Sequence, residues 1–182
     1  MISVSPAGSI EDFEILADLC RKLGAWDAEA VRPHGVSAEE LAAIFHPARN
    51  AQEIAAKFCA ADAAMLLARV DGHPAGCVAF EPFDDEAIEV EKFFVDAPFR
   101  GKGVGRALME AAMAEIAKGR RRKVLIHTTF YMESAVAVYT AFGFKPCPPF
   151  RETPIQVRHT DVFMSRTLPA WPKAGQSGAI TS

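Results

Sequence analysis

The sequence predicts an α/β (α+β) fold, a mixed and mostly antiparallel central sheet of about six to seven strands with helices on both faces. Three observations carry this expectation. Two apolar segments flank an Asp71-Gly72 turn, the later segments alternate strand, helix, strand, helix, and two short apolar segments close the pattern.

Ile2 and Val4 begin a short first strand. Ser9 then precedes Ile15, Leu16, Leu19, Cys20 and Leu23 at helical spacing, and this first helix is expected to end near Gly24. Residues 25–50 contain Pro33, Gly35 and Pro47 and read as irregular, except that Ser37 with Glu40 makes a capping-box signal for a short helix. Asn50 caps a further helix over 51–60. Residues 64–70 and 75–81 form a hairpin, and 87–95 alternate as a third antiparallel strand. Val104, Ala107, Leu108, Ala111, Ala112 and Ile116 mark one face of the next helix, with Gly119 as its stop. A strand over 124–129, a helix over about 132–142 and strands near 144–147 and 161–168 complete the order. One domain over residues 1–168 follows, and the Pro-, Gly- and Ser-containing tail 169–182 is expected to be disordered.

Of the 182 residues, 50% are hydrophobic and 24% charged, a balance that argues against disorder, collagen and coiled coil. Twenty Lys+Arg against 23 Asp+Glu leave a net charge of -3, the wrong sign for a protein that coats nucleic acid. Arg21 is the first cationic residue, so the charged start of a secretory signal is missing, and no apolar run approaches the roughly 20 residues that cross a bilayer. A cytoplasmic protein with no membrane partner is expected. Cys20, Cys59, Cys77 and Cys147 form no C-x-x-C pair and read as reduced thiols. His34, His46, His73 and His159 have no ligand spacing, so no metal is expected.

The strongest local signal is Arg100-Gly101-Lys102-Gly103-Val104-Gly105-Arg106, where a strand ends and an amphipathic helix begins. Glycines let backbone amides approach a ligand, the helix start adds unpaired N–H groups, and Arg100, Lys102 and Arg106 add charge, so the segment suits a pyrophosphate. A nucleoside-triphosphate loop fails here because no Lys is followed by Ser or Thr. A dinucleotide fingerprint is weak because position 106 is Arg and residues 120–129 hold no carboxylate.

The segment resembles the acetyl-coenzyme A loop of the GNAT superfamily of N-acetyltransferases, with Arg100, Gly103 and Gly105 filling its R/Q-x-x-G-x-G/A signature. The likeness runs from Glu89 through Val95 to Ala135, Tyr139 and Gly143-Phe144, and more loosely over residues 2–168. It implies a GNAT-like sheet whose fourth strand bulges and splays from the fifth, with the pantetheine arm beside Phe93, Phe94 and Val95. It also implies direct attack of an amine on the thioester of acetyl-CoA, which needs a base for the ammonium and an acid for the thiolate.

By that resemblance Glu89 is the general base, with Glu91 its competitor; strand alternation puts Glu89, Glu91 and Phe93 on one side. Tyr139 is the implied acid. Met132 stands where many relatives have Asn, as in a small bacterial-type branch, and Pro98 lies one place later than is common. The expected activity is acetyl transfer to a primary amine of a small molecule or peptide, without a covalent acyl-enzyme; the alternative is a non-catalytic acyl-CoA sensor. A longer acyl donor would depend on the depth near Phe93 and Phe94. The resemblance puts the acceptor against residues 25–60 and 148–162, where Arg151, Arg158 and His159 are charges that could meet an acceptor carboxylate. A homodimer is compatible with the family. Arg120-Arg121-Arg122-Lys123 complements a helix end, and His127 is either a relay or a packed strand histidine.

Overall fold

The computed structural model describes residues 1–37, 40 and 50–169. These hold seven strands, β1 (Ile2–Pro6), β2 (Ala64–Val70), β3 (His73–Pro82), β4 (Ala87–Val95), β5 (Lys123–Thr129), β6 (Lys145–Pro146) and β7 (Asp161–Thr167). Four helices accompany them, α1 (Ile10–Val31), α2 (Ala51–Phe58), α3 (Val104–Lys118) and α4 (Glu133–Ala141). The sheet order is β1-β2-β3-β4-β5-β7-β6, and every neighbouring pair is antiparallel except β4 with β5. The expected mixed sheet is present, with α1 and α2 on one face and α3 and α4 on the other.

The β2–β3 hairpin turns on Asp71 at φ 50 and Gly72 at φ 84, the two positive dihedrals that match the twist of paired strands. Asn50 Oδ1 accepts from the Glu53 amide at 2.9 Å while Glu53 accepts from the Asn50 amide at 3.0 Å, a closed capping box that starts α2. Ser37 and Glu40 make the same reciprocal pair at 2.8 and 3.2 Å, as their spacing predicts. The helix expected after them, with His46, falls outside the described residues, as does the tail 170–182.

The first helix does not end near Gly24 but runs to Val31. Glycine in a helix interior costs only about 1 kcal/mol, and Ala25, Ala28 and Ala30 beyond it are strong helix formers. Val31 is then buried against Val36, which rewards the extra turns. The extension brings Trp26 to the Tyr131 ring and Asp27 to its hydroxyl.

Two apolar clusters fill the layers. Leu66, Val78, Val90, Leu108, Met109 and Ile126 lie in the one beneath α3, and Phe13, Leu16, Leu19, Ile54, Phe58 and Phe94 lie in the one beneath α1 and α2. At the C-terminal end of α3, the Arg122 guanidinium donates to the carbonyls of Ala117 and Gly119, and Arg121 pairs with Asp62 at 2.7 Å. The basic corner therefore caps a helix.

Gly76 faces the end of β4 so closely that a Cβ there would sit 2.4 Å from the Phe94 carbonyl oxygen. Backbone cannot retreat as a side chain can. Gly76→Val is expected to destabilise the protein by about 2 kcal/mol or more in urea unfolding, because overpacking strains the β3–β4 ladder.

Candidate active site

β4 and β5 pair only over Ala87–Val90 against Lys123–Ile126. Beyond that point the two parallel strands part. β4 is bulged there: the β3 register shifts between Cys77 and Ala79, and Lys92 takes φ 55. The Cys77 thiol donates to the Lys92 carbonyl at 3.3 Å, which gives the displaced carbonyl a partner.

The bulge changes which face each later residue occupies. Glu91 lies on the α2 face, bonded to Lys57 at 2.6 Å, whereas Phe93 lies on the α3 face, packed in the cluster beneath that helix. The expectation that Glu89, Glu91 and Phe93 share a side is thus corrected, because the extra residue at the bulge reverses the two-residue alternation. Phe94 points back toward α1.

The glycine loop follows directly. Asp96 caps a short turn by accepting from the Ala97 amide at 2.8 Å, and Arg100 Nε reaches back to the Val95 carbonyl at 3.0 Å. The Arg100 guanidinium also lies 5.7 Å from the Trp26 ring and 5.9 Å from the Phe94 ring. Gly101 at φ 71 and Gly103 at φ 85 wind the chain into α3, whose first turn has no side-chain cap. Its amides are left open to an anion, and the helix dipole adds to their pull. At Gly105 a Cβ would lie 3.2 Å from Phe93 Cζ, so the helix start and the bulged strand close on each other here.

A cleft of about 490 Å³ runs between these parts. Phe93, Phe94, Val95, Arg100, Gly101, Gly103, Val104, Gly105 and Arg106 line it, as the motif leads one to expect. Lys102 does not line it; its ammonium lies 5.6 Å from the Phe99 ring. Arg106 also pairs with Glu110 at 2.8 Å. The resemblance singles out Met132 and Ala135 of this wall, whereas sequence reasoning missed Leu23 and Trp26 of α1, Phe99, Tyr131, residues 133–134 and Val138. Trp26 was hidden by ending α1 too early. Met132, whose sulfur accepts from the Thr128 hydroxyl at 3.4 Å, stands at the start of α4 within this wall.

The carboxylates lie across the sheet. Glu89 is 6% exposed, and burial raises its pKa while the charge and hydrogen bond of Arg151 pull it back. Glu91 belongs to a triad in which Lys57 also meets Glu81 at 2.7 Å. Tyr139 is 4% exposed behind the cleft wall, its ring 5.3 Å from Phe93 and 6.3 Å from Phe144, and burial pushes its phenol well up. It does not line the cleft itself, but it packs against Phe93, which does. His127 is a packed and bonded strand residue, 2.9 Å from Asp161 and stacked on Phe163. Asp27, reached by the extended α1, accepts from the Tyr131 hydroxyl at 2.7 Å. Arg158 donates to the Thr153 carbonyl, and His159 meets the His34 carbonyl.

Among the described residues no group of three or more His, Cys, Asp or Glu could hold a metal ion. No helix among them is long and apolar enough to cross a membrane.

Comparison with known proteins agrees with this geometry. The family model for the acetyltransferase (GNAT) domain matches residues 61–146. An uncharacterized N-acetyltransferase of Methanocaldococcus jannaschii is 32% identical over 86 residues, 44% of this chain and 38% of that relative's length. A GNAT-family acetyltransferase of Staphylococcus aureus superposes with a TM-score of 0.70 at 15% identity, over 93% of this chain and 100% of the other. The PaiA N-acetyltransferase of Thermoplasma acidophilum, solved in complex with coenzyme A, superposes at 0.69 and 17% identity, over 92% and 99%. Residues 61–146 match the GNAT acetyltransferase domain, and the chain has the fold of these GNAT structures.

Lys57 is the cation between Glu81 and Glu91. Lys57→Met leaves two neighbouring partly buried carboxylates without it, and urea unfolding is expected to show a loss of about 1–2 kcal/mol that Lys57→Arg largely avoids.

Proposed function

We propose that the protein transfers the acetyl group of acetyl-CoA to a primary amine of a small molecule or peptide by direct attack in a ternary complex. One juxtaposition supports the reading best: the glycine loop opens on one side of the splayed β4, and a buried carboxylate lies on the other side of the same strand. Donor and acceptor can then meet across the gap between β4 and β5.

In this reading the amides of residues 101–105 and the Arg100 and Arg106 side chains hold the diphosphate. The pantetheine amides pair with β4 backbone that β5 leaves free near Phe93, Phe94 and Val95. Glu89 accepts the proton of the acceptor ammonium, directly or through water, and the freed amine attacks the thioester carbonyl. The C–S bond breaks as the C–N bond forms; Tyr139 hydrogen-bonds or protonates the departing thiolate, and the second proton that the nitrogen gives up ends on the thiol or restores the phenol. Burial keeps the phenol protonated at any physiological pH, so its O–H is available to hydrogen-bond the thiolate. Tyr139 stands one ring away from the cleft, packed on Phe93 of its lining.

Two measurements test this. Glu89→Gln and Tyr139→Phe are each expected to slow acetyl transfer, read by thiol release with a panel of amines, by about tenfold or more. If neither does, the acid–base assignment is wrong. Gly105→Val, which pushes on Phe93 and narrows the cleft, is expected to weaken acetyl-CoA binding in calorimetry by about tenfold or more. Heat of binding without thiol release for any amine would favour the sensor.

A further inference from the structure

Glu89 does not lie alone on its face of the sheet. Arg151, in the segment between β6 and β7, donates from Nη2 to Glu89 Oε2. Its guanidinium carbon lies 5.5 Å from the Phe83 ring and 5.4 Å from the Phe150 ring, and these two rings meet edge to face at 5.2 Å. Phe150 leans in turn on Phe163 of β7 at 5.0 Å. A planar cation is therefore held by aromatic contacts against a carboxylate whose side chain is 8% exposed, while its own is 37% exposed.

The other charges around Glu89 are committed elsewhere. Glu81 is its cross-strand partner on β3, and Glu91 is the next outward residue on the same face of β4; Lys57 from α2 binds both. His127 on β5 is bonded to Asp161 at the start of β7, and Asp161 also accepts from Thr153. Arg151 is the cation bonded to Glu89 itself, at the level where the β4–β5 pairing is about to end.

We propose that Arg151 is a positioning residue for the reaction: it keeps the Glu89 carboxylate ionised and fixed beside the point where β4 and β5 part. The inference rests on Glu89 being the base. A buried carboxylate without a cation would take up a proton and cease to be a base at neutral pH, whereas a guanidinium keeps its charge throughout. When Glu89 receives the ammonium proton, the ion pair becomes a hydrogen bond from guanidinium to a neutral acid, and no charge leaves the site. Arg151 thus lowers the strength of the base but raises the fraction that is ready to act.

The sign of the pH effect follows. Burial raises the Glu89 pKa and Arg151 lowers it, so removing Arg151 raises it further. The acid limb of kcat/KM, recorded on the full chain with acetyl-CoA and an amine that the wild type acetylates, is expected to move to higher pH in Arg151→Gln. The loss should reach about tenfold or more at the acid end, since one unit of displacement is a factor of ten there, and shrink to within about threefold on the alkaline plateau. Arg151→Lys, which keeps the charge, should recover most of the displacement, and acetyl-CoA affinity by calorimetry should not change.

An unmoved limb in Arg151→Gln, with Glu89→Gln inactive, overturns the inference and leaves the base assignment standing. An active Glu89→Gln overturns the base assignment itself. Where the glutamine variant unfolds, Arg151→Met retains the contacts with Phe83 and Phe150. Carbon-13 NMR titration of the Glu89 carboxyl in Arg151→Met needs no acceptor: a midpoint above the wild type supports the proposal, and an equal midpoint overturns it.

Discussion

The site depends on the broken pairing between β4 and β5. Four residues of each strand are joined, and then an extra residue at Lys92 turns β4 away, leaving a wedge in the middle of an otherwise continuous sheet. Unpaired backbone in a sheet interior is costly, so it persists where something compensates. Cys77 supplies one partner, through the Lys92 carbonyl, and Gly76 leaves the room that the displaced strand needs. The end of β4 beyond the pairing, at Phe93, Phe94 and Val95, lines the cleft.

That wedge also sorts the chemistry. Before the bulge β4 sends its carboxylates to the α1–α2 face; after it, Phe93 and Val95 turn to the α3 face beside the glycine loop. A strand of unbroken alternation would put Glu89 and Phe93 on the same side. The bulge separates a polar, acidic side from an apolar side ending in helix amides, and the gap in the sheet joins them. On the proposed reading, amine and thioester come from opposite faces and meet at the gap.

The electrostatic arrangement of the acidic side is ordered rather than diffuse. Lys57 holds Glu81 and Glu91, His127 holds Asp161, Tyr131 holds Asp27, and Arg151 holds Glu89. Each carboxylate thus has a named partner from a different element. Burial works against the ionised form of Glu89 and its partner works for it, so a change in the segment carrying Arg151 reaches a residue on a distant strand.

Much of this was legible in the chain alone, because local chemistry specifies it. Asp71-Gly72 demands a tight hairpin, Asn50 with Glu53 and Ser37 with Glu40 close capping boxes, and the spacing of Arg100, Gly103 and Gly105 marks a loop that opens amides at a helix start. Those are interactions among neighbours. What tertiary structure alone decided is everything that needs two distant segments: the continuation of α1 past Gly24 to bring Trp26 to the cleft, the bulge that parts Glu91 from Phe93, and the seat of Arg151 on Glu89. A helix end is chosen by what the next turn can bury. A bulge is set by the partner strand, and an ion pair across the sheet exists only once both partners are in place.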